Sequence, residues 1–145
     1  NRLVTDYEFD WDQVLKFEGH TGPYLQYAHA RACSIMRKGE AVGSFDAALL
    51  TLPEELALVR ELSRFPQVTF EATEAQEPSI VSRYLLDLSA AFNRLYTLGN
   101  QNHAHKVLVE NNAPVRAARL ALNDVFRVTL RNGMHLLGIG ATERM

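Results

Sequence analysis

Apolar side chains recur at steps of three and four along most of the chain, which is the spacing of one buried helix face. The first such stretch opens at Thr21 and Pro23, a capping residue and a first-turn proline, and runs to Lys38 before Gly39. We therefore predict a long first helix with a buried stripe. Its members are Leu25, Ala28, Ala32, Ile35 and Met36.

Two further helical stretches follow before residue 77. Thr51 and Glu54 have the spacing of a capping box, and apolar residues then follow at helical intervals until Pro66. We expect a helix that ends at this proline. Residues 67–76 carry a weaker helical pattern and predict a shorter element.

The second half of the chain predicts two long helices. One opens at Pro78 and is expected to close at Gly99, with its apolar stripe on Val81, Leu85, Leu88, Phe92 and Leu95. The other begins at about residues 112–114 and continues to Leu137, with Gly138 as its stop. The polar stretch between them, residues 100–112, is expected to be partly a loop.

The remaining patterns complete the predicted architecture. Residues 11–17 could form a short turn of helix, and no alternating strand pattern occurs. The sequence predicts an all-α fold, a helix bundle of about four to six helices.

Composition favours one domain outside the membrane. With 145 residues and 47% hydrophobic composition, the chain can bury one core, and its apolar runs are too short for a membrane span. Cys33 is the only cysteine, which leaves no internal disulfide. We expect a cytoplasmic location. Because the chain begins at Asn1 rather than Met, we also expect it to be part of something longer.

The net charge of -2 conceals an uneven distribution. Residues 1–78 carry 7 Lys and Arg against 13 Asp and Glu, whereas residues 79–145 carry 8 against 4. The second half therefore has the electrostatics of an anion-binding surface.

A mixed aromatic and basic face accompanies the core stripe of the first helix. Aromatic rings stack on unpaired bases and neighbouring cations hold phosphates, so this combination suits single-stranded RNA. The alternative is that the tyrosines cover the core edge while the charges face solvent. The face consists of Tyr24, Tyr27, Arg31, Ser34 and Lys38.

The last helix carries a second candidate surface, a cationic ridge that could contact phosphates or simply be solvated. On the preceding helix, Phe92 and Tyr96 lie one turn apart; periodicity favours the core for Phe92 and leaves Tyr96 open. The ridge consists of Arg116, Arg119, Asn123, Arg127 and Arg131.

No pattern predicts a catalytic or metal site. His103 and His105 are two residues apart, and no histidine pair has the helical spacing of a zinc site with a further ligand. Gly-x-Ser-x-Gly and a phosphate-cradling glycine-rich loop are both missing. We expect no catalytic residue, metal or cofactor in this chain.

Three separated segments resemble the C-terminal, DALR-type domain of arginyl-tRNA synthetases. The central one is Gly-His-Thr-Gly-Pro-Tyr-Leu-Gln-Tyr-Ala-His-Ala-Arg, from Gly19 to Arg31. The other two are residues 7–11 before it and the end of the chain, residues 132–139 with 143–145, so the resemblance extends over essentially the whole chain.

The resemblance implies a helical domain that recognises the anticodon of tRNA(Arg), within a class I enzyme that joins arginine to tRNA with ATP. Residues 1–20 would be the junction from the catalytic domain, and residues 21–145 the anticodon-binding domain. The signature motifs of the catalytic domain, which would use ATP, Mg²⁺ and arginine, are missing here. Neither DNA nor a membrane is an expected partner.

By the same resemblance, five residues would contact the anticodon, and phosphate contacts would fall to the basic residues of the two candidate surfaces. Some family members have Tyr at position 92 and Trp at 96, and many have a proline before Glu143 that is absent here. The rival function is a helical protein-interaction module. The anticodon set is Tyr24, Tyr27, Phe92, Tyr96 and Met145; the phosphate set is Arg31, Lys38, Arg116, Arg119, Arg127 and Arg131.

Overall fold

A computed structural model describes residues 21–39 and 43–145. Over these ranges the chain forms five α-helices and no strand, which confirms the predicted all-α helix bundle. Single turns of 3-10 helix occur at Ala47–Leu49 and His103–His105. The predicted turn at residues 11–17 lies outside the described residues. The helices are α1 (Gly22–Lys38), α2 (Pro53–Ser63), α3 (Phe65–Ala75), α4 (Pro78–Gln101) and α5 (Ala113–Leu136).

The ends of α1 and α5 follow the predicted capping chemistry. Thr21 Oγ1 accepts a hydrogen bond from the backbone N–H of Tyr24 at 3.3 Å, and Asn112 Oδ1 accepts one from Val115 at 3.2 Å. Each helix also has a proline in its first turn, where an N–H would have no helical partner. Gly138, just beyond α5, has a φ of +71°, a conformation that glycine adopts without strain.

The predicted boundaries between α2 and α3 were wrong in two respects. The carboxylate that caps α2 is Glu55, whose Oε2 accepts from the Leu52 backbone N–H at 2.9 Å, rather than Glu54. Moreover, α2 ends at Ser63, and Pro66 lies in the first turn of α3 instead of closing α2. Proline is as acceptable at a helix start as after a helix end, so the residue alone did not decide between them.

The predicted end of α4 at Gly99 was also wrong. The helix continues to Gln101, and Gly99 is buried within it. A Cβ atom at this position would lie 3.1 Å from the Cα of Lys106, so the glycine permits the following loop to return across the helix. Its role is close backbone approach, not termination.

The core lies between α4 and the helices packed around it. Phe92 of α4 stacks on Phe126 of α5 with ring centroids 4.0 Å apart and planes 7° apart. Both rings are almost completely buried, so truncation of either would leave a large cavity. Other fully buried side chains of this core are Leu58, Leu85, Leu88, Leu130 and Met134.

A buried ion pair connects three parts of the fold. Arg119 of α5 donates from Nε to Glu55 Oε1 of α2 at 2.6 Å, and the two residues are 6% and 0% exposed. The same guanidinium donates from Nη1 to the carbonyls of Ala104 and Lys106 at 2.7 and 3.0 Å. The loop after α4 is therefore fixed to the bundle interior.

The segment after α5 lies along α1, which the sequence did not predict. Gln26 Nε2 donates to the Gly140 carbonyl at 2.8 Å, and Arg37 Nη1 donates to the Glu143 carbonyl at 2.9 Å. Between them, His29 Nδ1 hydrogen-bonds the Thr142 carbonyl at 2.8 Å, with the ring nitrogen as the donor. These contacts direct the end of the chain toward the C-terminal half of α1.

Within the described part of the chain, no helix combines the length and apolar character that crossing a membrane requires.

Candidate nucleic-acid interface

An open groove of about 410 Å³ lies where α1, α4 and the end of the chain meet. It brings together five residues that the sequence proposed for RNA contact although they come from three separate segments. The groove is lined by Tyr27, Ala30, Arg31, Ser34, Ile35, Arg37 and Lys38 of α1, by Tyr96 of α4, and by Arg144 and Met145.

Arg31 lines this groove and contacts two aromatic rings. Its Cζ atom is 4.6 Å from the ring centroid of Tyr27 and 4.2 Å from that of Tyr96, both within the range of cation–π attraction. The guanidinium thus joins the aromatic side chains of α1 and α4 into one cluster.

Asn93 orients this cluster from the side of α4. Its Oδ1 accepts a hydrogen bond from Arg31 Nη1 at 2.7 Å, while its Nδ2 donates to the Tyr24 hydroxyl at 2.9 Å. Asn93 was not predicted from the sequence as a site residue. The only available signal was its position, since it lies one helical turn before Tyr96 on the edge of the apolar stripe.

The residues predicted to contact the anticodon differ in how far their side chains are exposed to solvent. Tyr27 is 42% exposed and Met145 is 60% exposed, so both have surface for a ligand. Tyr96 is half-buried but still lines the groove. Tyr24 is half-buried and lines a neighbouring cavity with Asn93 instead. Its position indicates support of the cluster through Asn93 rather than a place in the groove.

The burial of Phe92 conflicts with a direct base contact. This residue is 1% exposed, and its ring is covered by Phe126 in the core. The buried position expected from helical periodicity is therefore correct. The base contact that the resemblance implies would need an exposed ring face, which Phe92 does not have. Its ring centroid lies 6.4 Å from that of Tyr96, with the planes 34° apart, so Phe92 packs beside Tyr96 without lining the groove.

The cationic ridge predicted on α5 is not a continuous exposed surface. Arg119 is buried in its ion pair with Glu55, and Asn123 is 2% exposed with its Nδ2 donating to the Ala32 carbonyl at 3.1 Å. Charge periodicity failed here because a helix that is covered on several sides can also bury an arginine that has a carboxylate partner.

The other arginines of α5 lie apart from the groove lining. Arg127 is half-buried and donates from Nη2 to Asp124 Oδ1 at 2.6 Å, a hydrogen bond that raises its pKa. Arg116 donates to the Val109 carbonyl at 3.3 Å, and Arg131 is half-buried. Phosphate contact by these three residues stays a prediction.

Two arginines that the sequence did not single out enrich the groove in positive charge. Arg37 is exposed on the last turn of α1. Arg144 precedes Met145 in residues 137–145, which follow α5 and which we call the end segment. Together with Arg31 and Lys38 they make four cationic side chains around one groove. An arginine in the last turn of a helix has the ordinary interpretation of dipole stabilisation, which is why Arg37 was overlooked.

The surroundings of His29 and Cys33, near the end segment, shift the pKa of each side chain. Burial lowers the pKa of His29, partly opposed by its hydrogen bond to Thr142, and the nearby Arg127 and Arg131 lower it further. Burial also raises the pKa of the Cys33 thiol, which disfavours the reactive thiolate. Among the residues that the structure describes, no group of three or more His, Cys, Asp or Glu could hold a metal ion.

The chain is similar to a known domain family and to named relatives. The sequence pattern of the DALR anticodon binding domain matches residues 25–145. The arginine–tRNA ligase of Clostridioides difficile is 41% identical over 147 aligned residues, which cover 100% of this chain and 25% of the relative. Arginine–tRNA ligase 1 of Bacillus cereus is 42% identical and is covered to 24%. The chain thus spans about a quarter of the length of these relatives.

Solved structures show the same similarity in three dimensions. The arginyl-tRNA synthetase of Thermus thermophilus superposes with a TM-score of 0.79 at 38% identity, covering 94% of this chain and 23% of that one. The arginyl-tRNA synthetase of Plasmodium falciparum gives a TM-score of 0.77 at 25% identity, with 97% and 24% covered.

Proposed function

This chain belongs to the DALR anticodon binding domain family, and on that basis we propose that its groove binds the unpaired anticodon loop of a tRNA. The observation that carries the proposal is the cluster of Arg31 with the rings of Tyr27 and Tyr96, at 4.6 and 4.2 Å, within a cationic groove. Aromatic faces and cations in one place fit the two parts of an unpaired nucleotide, its base and its phosphate.

The exposed ring of Tyr27 supplies a stacking surface for a base. Such stacking contributes about 1–3 kcal/mol per base and is available only to bases that have left the helical stack, as in a loop. Met145, which is 60% exposed, offers an apolar and polarisable side chain to the same base. The bases of the loop are thereby held by surfaces from opposite ends of the chain.

The charged residues around the rings hold the backbone of the loop. Lys38 and Arg37 are exposed on the last turn of α1, and Arg144 approaches from the end segment. Each phosphate contact releases condensed counterions, so affinity falls as salt rises, with a slope of roughly 0.7 per contact for a single strand. These contacts position the loop, while stacking and base-edge contacts distinguish its sequence.

The named relatives direct the proposal toward tRNA(Arg). They are arginine–tRNA ligases, of which this chain matches about a quarter. We assign residues 21–145 to anticodon recognition and residues 1–20 to the junction with the catalytic part of a class I ligase. ATP, Mg²⁺ and arginine would act in that part, outside this chain, and the complete enzyme would charge tRNA(Arg) in the cytoplasm.

Binding of the 145-residue chain to transcribed tRNA(Arg) tests the proposal. Affinity is measured across a salt series, in parallel with the same tRNA whose anticodon bases are replaced. We expect tighter binding of the native anticodon, and loss of this preference when Tyr24 and Tyr27 are both changed to alanine in a protein that remains folded. Equal affinity for both RNAs at every salt concentration would reject anticodon recognition by this chain and leave only charge-driven attachment to RNA. Absence of binding to either RNA would favour the protein-interaction module.

A further inference from the structure

A second, smaller cavity adjoins the groove. It has a volume of about 220 Å³, and we call it the side cavity. Ile35, Lys38 and Tyr96 line both spaces, so the two are direct neighbours. The other walls come from the end of α4 and the loop that follows it, and include Asn100, Lys106, Val107 and Leu108.

The lining of the side cavity combines apolar, amide and cationic groups. Leu95 and Val107 are 3% and 7% exposed and give it an apolar base. Asn100 is exposed at its margin and offers an amide, which can both donate to and accept from a base edge. Among the described residues, no carboxylate pairs with the ammonium of Lys38 or Lys106, so both cations are available to a phosphate.

The wall that carries Lys106 is held in place from the bundle interior. Arg119 Nη1 donates to the carbonyl oxygens of Ala104 and Lys106 at 2.7 and 3.0 Å, and this guanidinium is itself paired with the buried Glu55. From the other side, Gly99 allows the Cα of Lys106 to approach α4 closely. The backbone of this wall is therefore held in place before any ligand arrives, which lowers the entropic cost of binding.

We propose that the side cavity is a second nucleotide subsite, which takes the nucleotide directly adjacent to the one held by Tyr27 in the groove. The proposal rests on the function proposed above. Tyr96 and Lys38 border both spaces, so one unpaired strand that passes over them places successive nucleotides in the two. Lys38 holds the phosphate between these nucleotides, and Lys106 and Asn100 contact the second one.

Double-mutant cycles between protein and RNA test the subsite. Each nucleotide of the anticodon loop of tRNA(Arg) is replaced in turn by an abasic one, and the loss of affinity is measured with the unaltered chain, Tyr27→Ala and Asn100→Ala. We expect one loop position whose loss disappears in Tyr27→Ala and a second whose loss disappears in Asn100→Ala. The proposal requires these two positions to be neighbours in the loop.

Lys106→Ala provides an independent measurement. We expect affinity lower by on the order of tenfold at low salt and a salt slope smaller by about one. Arg83→Ala is the matched control, since Arg83 is exposed on α4 and roughly 20 Å along the helix axis from Tyr96 at 1.5 Å per residue. Thermal unfolding of each variant shows that it is folded.

The outcomes separate this proposal from the function on which it rests. If Tyr27→Ala weakens binding while Asn100→Ala and Lys106→Ala bind like the unaltered chain, the groove binds RNA and the side cavity does not. The subsite would also be overturned if the loop nucleotide whose effect disappears in Asn100→Ala is not a neighbour of the nucleotide whose effect disappears in Tyr27→Ala. If no variant changes the affinity, including Tyr27→Ala, the function itself is rejected.

Discussion

Arg31 and Asn93, on different helices, are joined by a hydrogen bond of 2.7 Å from Nη1 of the guanidinium to Oδ1 of the amide. One Nη1 N–H is used in this way, while the face of the guanidinium contacts the rings of Tyr27 and Tyr96. The bond therefore sets the plane in which the remaining donors of Arg31 meet the groove. Asn93 is a positioning residue for the cluster.

Removal of this amide should weaken RNA binding more than it weakens the fold. In Asn93→Ala, the charged donor of Arg31 loses its acceptor and Tyr24 loses its donor. A hydrogen bond to a charged group contributes about 1.5–3 kcal/mol, so we expect affinity for tRNA(Arg) to fall by roughly tenfold to a hundredfold. Thr97→Ala, one turn further along α4, is the control and should bind normally. A melting temperature that falls in proportion to affinity would contradict a positioning role.

Loss of the exposed ring should affect binding alone. Tyr27 is 42% exposed, so Tyr27→Ala removes little from the core, and we expect its free energy of unfolding to change by at most about 0.5 kcal/mol. Affinity for tRNA(Arg) should fall by about 1–3 kcal/mol, the contribution of stacking on one base. Tyr27→Phe retains the ring and should retain most of the affinity; if it binds as poorly as Tyr27→Ala, stacking is not the interaction that this residue makes.

Arg119→Ala should destabilise the fold rather than remove a phosphate contact. The substitution leaves Glu55 as a buried carboxylate without its cation and frees two loop carbonyls, so we expect a loss of about 3–5 kcal/mol in urea-induced unfolding. Arg60→Ala, at an exposed position of α2, should change stability by at most about 0.5 kcal/mol. Normal stability together with weakened tRNA binding would return Arg119 to the set of phosphate-binding residues.

His29 should make stability dependent on mildly acidic pH. Because burial lowers its pKa in the folded chain, the unfolded chain takes up a proton at a higher pH than the folded chain does. The contribution of His29 to stability is complete above its ordinary pKa of about 6.5 and is lost as pH falls through the lower pKa of the folded state.

Comparison with His29→Gln isolates this effect. Glutamine can still donate to the Thr142 carbonyl but does not titrate, and the other histidines are common to both proteins. Urea unfolding of the two proteins from about pH 7.5 to about pH 5.5 should show the unaltered chain losing stability relative to the variant. Parallel curves over this range would mean that another group causes any pH dependence of the fold.

The helix boundaries were predictable from the sequence where the boundary residue has a single ordinary role in helix capping. Thr21 and Asn112 cap their helices as expected, and Gly138 has the positive φ that favours glycine after a helix. The errors occurred at residues with two possible roles. Pro66 can follow a helix or start one, and Gly99 can end a helix or admit a neighbouring backbone; only the packing partners decide.

The candidate site was predictable in its residue types but not in its geometry. Spacing along α1 placed Tyr27, Arg31 and Lys38 on one face, and they do line one groove. No local pattern could show that Arg119 faces Glu55, because its partner lies 64 residues away. The same limit applies to the end segment, whose carbonyls meet Gln26, His29 and Arg37 across more than 100 residues of sequence.

Because the residues that line the groove are far apart in the sequence, binding of a ligand in the groove is coupled to folding of the chain. Tyr27 and Met145 lie on α1 and at the far end of the sequence, and Tyr96 comes from between them, so no partly folded segment contains the complete groove. A ligand that contacts all three binds only the folded chain and stabilises it by mass action. At a free RNA concentration of about 100 times the dissociation constant this adds roughly 2.7 kcal/mol. A bound tRNA would thus hold α1, α4 and the end of the chain together.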